Sequence, residues 1–201
     1  MTSKTRTTAI GSAVALAAVS LTAAFAMAAP IGGTDGPDTL TGTDGRDRIT
    51  AKEGDDTVDG RAGRDRIRAG RGNDTVEAGF GNDAVRGGYG NDTLNGGPGR
   101  DLIFAQRGVD VVNGGDGGDN LWALARKDVT GEAGEPSDTL NGGAGHDRIH
   151  VRDGEADKVT CGEGFDTVYA DRKDVVAADC ERLNRRNANA RDDDDENKDA
   201  S

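Results

Sequence analysis

An aspartate returns every nine residues, and no other feature of this chain restricts its fold so severely. From Gly33 to Trp122 ten consecutive nonads run without a slip in phase. Their sixth positions are Asp38, Asp47, Asp56, Asp65, Asp74, Asp83, Asp92, Asp101, Asp110 and Asp119. Two residues earlier there is always a glycine: Gly36, Gly45, Gly54, Gly63, Gly72, Gly81, Gly90, Gly99, Gly108 and Gly117. Two residues later there is always an aliphatic: Leu40, Ile49, Val58, Ile67, Val76, Val85, Leu94, Ile103, Val112 and Leu121. A biased composition alone does not fill three columns ten times over.

Each nonad reads as a glycine-rich turn of about six residues and a strand of about three, with one buried face. Position 8 points inward, while positions 7 and 9, often Thr, Arg, Asn or Glu, point outward. Units this short cannot fold alone, so they must stack into a solenoid. An ordinary core is not available to this chain: 32 of its 201 residues are Gly, and Phe, Tyr and Trp number only 4, 2 and 1. Acidic residues outnumber basic ones by 37 to 25, which disfavours a nucleic-acid partner, because phosphates need Lys and Arg. An acidic, glycine-rich chain is either disordered or condensed by something positive.

One nonad, Gly87-Gly88-Tyr89-Gly90-Asn91-Asp92-Thr93-Leu94-Asn95, carries the full pattern G-G-x-G-x-D-x-U-x, and so do those starting at Gly96, Gly114 and Gly142. The chain resembles the hemolysin-type calcium-binding (RTX) repeat family, in a small secreted form with a Cys-containing C-terminal cap. The resemblance implies an all-β fold, a parallel β-roll in which two nonads make one coil. The aspartates would then fall into two columns, Asp38, Asp56, Asp74, Asp92 and Asp110 on one side, and Asp47, Asp65, Asp83, Asp101 and Asp119 on the other. Calcium ions would sit between successive turns of a column, held by Asp carboxylates and turn carbonyls such as those of Gly72, Gly81, Gly90, Gly99 and Gly117. All-oxygen ligation suits Ca²⁺ far better than Zn²⁺. Lys52, Arg61, Thr34 and Thr43 replace glycine at position 2, where positive φ is wanted, and Arg46, Arg64 and Arg100 stand beside an Asp at position 5. Folding is expected to depend on calcium, since stacking otherwise brings carboxylates together with no cation between them.

After Trp122 the phase is lost, and residues 123–137 read as an inserted loop. The period resumes at Asp138-Thr139-Leu140 and continues through Asp147, Asp157 and Asp166, with one extra residue near Glu155-Ala156. Residues 138–183 therefore form a second repeat block, in which Asp138, Asp147 and Asp166 are further candidate ligands. Cys161 and Cys180 are the only cysteines, and in an exported chain they are expected to pair. The stretch around them resembles a C-terminal cap, which an open parallel solenoid needs to cover its strand edges.

Export is read from residues 1–28. Lys4 and Arg6 precede a small, apolar run from Ala9 to Ala26, and Ala26-Met27-Ala28 has the small-x-small pattern of a cleavage site. Once this leader is removed, no stable membrane insertion is expected, and the protein is expected to be an extracellular monomer. Residues 184–201, with Asp192-Asp193-Asp194-Asp195-Glu196, read as a disordered acidic tail. No catalytic constellation is found. His146 and His150 are four apart, but Asp147 stands where H-E-x-x-H requires Glu, and G-x-S-x-G and P-loop patterns are absent. Trp122 and Phe104 share one outward register and are candidates for a small partner or sugar patch. Calcium binding without catalysis is the expected function, with a calcium-stiffened adhesive or structural module at the cell surface as the alternative. No protein or polysaccharide partner is identified.

Overall fold

The computed structural model describes residues 30–123 and 138–186. The expected leader, the insertion beyond Ala123 and the tail beyond Arg186 lie outside these residues. Among the described residues there is no helix, and nineteen strands pair in parallel.

One sheet has nine strands: β1 (Ile31–Gly32), β3 (Arg48–Glu53), β6 (Arg66–Arg71), β9 (Ala84–Tyr89), β11 (Leu102–Arg107), β13 (Asn120–Trp122), β15 (Arg148–Val151), β17 (Thr167–Ala170) and β19 (Arg182–Arg185), in that spatial order. The opposite sheet has eight: β2 (Thr39–Thr41), β4 (Thr57–Asp59), β7 (Thr75–Glu77), β10 (Thr93–Asn95), β12 (Val111–Gly117), β14 (Thr139–Gly145), β16 (Lys158–Gly164) and β18 (Val175–Val176). A short pair, β5 (Ala62–Gly63) and β8 (Phe80–Gly81), lies in the turns. Consecutive nonads alternate between the two sheets, so each coil contains two of them, and Ile49 is in register with Ile67, and Ile67 with Val85. This is the parallel β-roll expected from the repeat.

The two repeat blocks form one continuous stack. Val112 pairs with Leu140 and Asn113 with Asn141 in one sheet, and Leu121 with Ile149 in the other. Among the described residues the ladder runs from Ala123 to Asp138 in unbroken register.

The core has two inward positions per nonad. Position 8 is fully buried, as expected, from Ile49 to Val168. Position 1 is buried as well, as Ala51, Ala69, Ala78, Ala105 and Ala123 show, with Val151, Cys161 and Ala170 continuing it. In a strand, residues two apart share a face. A strand that runs through position 9 therefore turns position 1 inward beside position 8. Strands are accordingly longer than three residues where positions 2 and 3 also pair, as in Lys52 with Gly70 and Glu53 with Arg71.

On the outer face of the nine-stranded sheet, position 9 builds a row of rings. Phe104, Trp122, His150 and Tyr169 stack at centroid separations of 6.0, 3.7 and 4.6 Å. The Arg86 guanidinium lies over Phe104 and that of Arg152 over Tyr169. The ring faces are thus taken up by one another and by the two cations, so the patch of Trp122 and Phe104 is a ladder along the roll rather than an open platform for a sugar.

Coil-to-coil contact at the turns is made through glycine. Gly90 has φ +117°, and a Cβ there would run into the Gly72 carbonyl oxygen of the preceding coil. Gly36, also at position 4, faces open space. Gly90→Ala is therefore expected to destabilise the folded roll by roughly 1–3 kcal/mol, whereas Gly36→Ala stays within about 0.5 kcal/mol of the parent. Denaturant melts of the two variants under identical calcium concentrations measure the difference.

Candidate metal centre

The aspartate columns owe their position to the strand that follows each turn. Position 8 must point into the core, so position 6, two residues before it, points the same way. The carboxylates of Asp56, Asp65, Asp74, Asp83, Asp92, Asp101, Asp110, Asp119, Asp138, Asp147 and Asp166 are all buried as a result, each 2% exposed or less.

One oxygen of each carboxylate has a fixed task. Asp56 Oδ1 accepts the backbone N–H of Asp38, one coil earlier, at 2.8 Å. The same bond recurs from Asp56 to Asp74, Asp74 to Asp92, Asp92 to Asp110, Asp110 to Asp138 and Asp138 to Asp157, at 2.8–2.9 Å. The second column runs from Asp47 through Asp65, Asp83, Asp101, Asp119 and Asp147 to Asp166, at 2.7–2.8 Å. Both columns of the sequence analysis are therefore assembled as expected, and the insertion is bridged without a break.

The columns also extend beyond the residues singled out from the sequence. Asp157 N–H donates to Asp174 Oδ1 at 3.2 Å, and Asp166 N–H to Glu181 Oε2 at 2.9 Å. Glutamate ends one column where the nine-residue count no longer holds. The disulfide between Cys161 and Cys180 ties this end of the roll together, and Asp179 Oδ2 accepts the N–H groups of Cys161 and Gly162.

The other carboxylate oxygen has no such task. Oδ2 of Asp56, Asp65, Asp74, Asp83, Asp92, Asp101, Asp110, Asp119, Asp138, Asp147 and Asp166 is buried and accepts no hydrogen bond from the described residues. A buried carboxylate oxygen without a donor is costly unless a cation meets it. The turn glycines add carbonyl oxygens aimed at the neighbouring coil: a Cβ on Gly99 would strike the Gly81 carbonyl oxygen, and one on Gly117 that of Gly99. The Gly72 carbonyl faces Gly90 in the same way, that of Gly90 faces Gly108, and that of Gly117 faces Gly145 while accepting the His146 N–H at 3.2 Å. This donor set is all oxygen, with formal negative charge from successive coils, and it fits a hard divalent ion.

The first coil is built differently. Asp38 Oδ2 accepts the N–H of Thr34 at 2.5 Å and its hydroxyl at 3.0 Å. Asp47 Oδ2 accepts the same pair from Thr43, at 2.6 and 3.0 Å. The threonines at position 2 are thus local donors to the aspartate of their own turn. Lys52 and Arg61, by contrast, adopt the glycine-like conformation with φ of 94° and 69°, and Gln106 joins them at 91°.

Electrostatics follow from the burial. In the absence of a cation, desolvation pushes the Asp92 carboxyl up to about 8, only partly offset by the Asp74 N–H, and the Asp110 and Asp74 carboxylates raise it further. Asp138 is likewise raised to about 8 and Asp101 to about 7, and Asp65, Asp110 and Asp119 to about 6, in each case chiefly by burial. Arg100 offsets part of the rise at Asp119. No histidine joins the columns: His150 is in the ring ladder, and His146 Nδ1 accepts the Phe165 N–H.

No curated protein matches the chain. The model of the RTX calcium-binding nonapeptide repeat matches residues 32–67, 51–85, 60–94, 86–121 and 132–168, which together exceed half of the chain and include both aspartate columns. The chain belongs to the RTX calcium-binding nonapeptide repeat family, and calcium is the ion to which its repeats correspond.

Proposed function

We propose that this protein is an extracellular calcium binder whose folding is gated by the ion, and that it is not an enzyme. One observation carries the reading: row upon row of buried Asp Oδ2 atoms, from Asp56 to Asp166, with no hydrogen-bond donor among the described residues. Bound calcium would be held by these oxygens and by turn carbonyls. It would supply the positive charge that lets stacked carboxylates remain ionised at neutral pH. Asp38 falls outside this set, because Thr34 satisfies its Oδ2, whereas Asp47, whose Oδ2 is satisfied by Thr43, keeps a buried Oδ1 with no donor among the described residues. The ligands then run from Asp47 onward.

Export is supported by the composition of residues 1–28 and by the disulfide. No helix among the described residues is long and apolar enough to cross a membrane. The non-catalytic reading is supported by the aspartates themselves, since each repeat aspartate is occupied in the ladder between coils.

Far-UV circular dichroism of the purified chain at pH 7.5 tests the gating. With millimolar calcium the spectrum is expected to be β-rich, and with excess chelator to lose most of that signal. Identical β-rich spectra in both conditions contradict it.

The pH dependence follows with a definite sign. A carboxyl whose folded pKa exceeds its unfolded value of about 3.9 takes up protons on folding. The metal-free roll is therefore most stable below about pH 4 and loses stability as pH rises through about 6 to 8, where Asp65, Asp101 and Asp92 titrate. Calcium affinity runs the opposite way, rising over the same window as protons leave the ligands. Chelator-treated chain is expected to show more β-structure at pH 4 than at pH 8, and the reverse order contradicts the assignment.

A further inference from the structure

Near its C-terminal end the roll departs from the nonad rule in a way that adds charge. Asp138 N–H meets Asp157 Oδ1 after 19 residues instead of the usual 18. The added length falls in the turn Asp153-Gly154-Glu155-Ala156-Asp157, which brings three acids where the nonad Gly87–Asn95 brings one. The turn is held in shape: Asp153 Oδ1 accepts the Glu155 N–H at 3.0 Å, and the Lys173 ammonium donates to the Gly154 carbonyl. On the next coil Asp171 is buried too, with its Oδ1 accepting the Lys173 N–H at 2.7 Å.

These contacts leave four carboxylate oxygens over. Oδ2 of Asp138, Asp153, Asp157 and Asp171 is buried and accepts no hydrogen bond, and the four residues are 0%, 7%, 0% and 3% exposed. One oxygen each from Asp138, Glu155 and Asp157 lies within 4.8 Å of the other two. Oxygens on opposite sides of one calcium ion stand about 5 Å apart, twice the usual ligand distance. The spacing of these three carboxylates therefore suits a single shared ion. A gap between ordinary nonads, such as that between Asp74 and Asp92, offers only two aspartates in succession. Calcium affinity rises with the number of charged ligands, and that number is greater here.

We propose that the Asp153–Asp157 turn, together with Asp138 and Asp171, is a separate calcium site of higher charge than the nonad sites, and that it is the first to fill. The proposal rests on the calcium-binding reading of the roll.

Calorimetric calcium titration of the purified chain at pH 7.5 tests this, comparing the parent with Asp153→Asn/Glu155→Gln, with Asp171→Asn, and with Glu155→Gln alone in case the double variant fails to fold. The parent is expected to show one tight equivalent before a weaker class. The variants are expected to lose or weaken that equivalent by at least about tenfold, with the weaker class unchanged. A tight equivalent that survives in all variants overturns the proposal, and so does uniform weakening of every site. If the parent takes up no calcium at all, it is the calcium reading itself that fails.

Discussion

The roll depends on a single bond repeated along two columns, the hydrogen bond from the backbone N–H of one repeat aspartate to Oδ1 of the aspartate one coil later. It fixes the spacing of the turns, and it also commits the carboxylate to a buried position. Satisfying Oδ1 in this way leaves Oδ2 beside it, inside the turn and away from water. The same side chain is therefore both the fastener between coils and the source of an uncompensated charge. Neutral replacements could fasten the coils equally well, since an amide oxygen accepts the same N–H. The charge on twelve buried column aspartates from Asp56 to Asp166 makes sense if a cation completes the structure.

The two ends of the molecule resolve this tension by different means. At the start, Thr34 and Thr43 turn their own N–H and hydroxyl onto Oδ2, which leaves Asp47 Oδ1 as the buried oxygen of the first coil that has no donor among the described residues. At the other end, Glu181 closes one column and Asp174 the other, and the disulfide holds the last coils together. Between these ends the interior is thin, because position 8 contributes one aliphatic and position 1 often only alanine. Such a core returns little hydrophobic free energy per ordered residue, which is why electrostatic completion of the turns weighs so heavily.

Much of this was legible in the sequence. The coil length, the two aspartate columns and the inward position 8 all follow from the nine-residue count, and the disulfide follows from two cysteines in a chain read as exported. What escaped had local causes. Position 1 was missed because glycine and alanine alternate there, and alanine carries little hydrophobic signal until a strand is seen to run through it. Thr34 and Thr43 read as defects in a glycine column, since a side chain that donates back to its own turn has no periodic signature. Asp153 and Asp171 were missed because neither falls at position 6, where the nine-residue count looks for a ligand, and whether the two blocks stack was decided by register that spacing alone does not convey.

The central claim is that one carboxylate fastens two coils through Oδ1 and meets the cation through Oδ2. Asp92→Asn separates the two roles, because the amide retains an acceptor for the Asp74 N–H while the charge is removed. Denaturant unfolding of this variant, once metal-free at pH 4, where the roll without the ion is most stable, and once in saturating calcium at pH 7.5, is the most direct measurement. The account predicts a metal-free form at least as stable as the parent and a calcium-loaded form clearly less stable. Equal losses in both conditions would mean that Asp92 serves only as a fastener, and would contradict it.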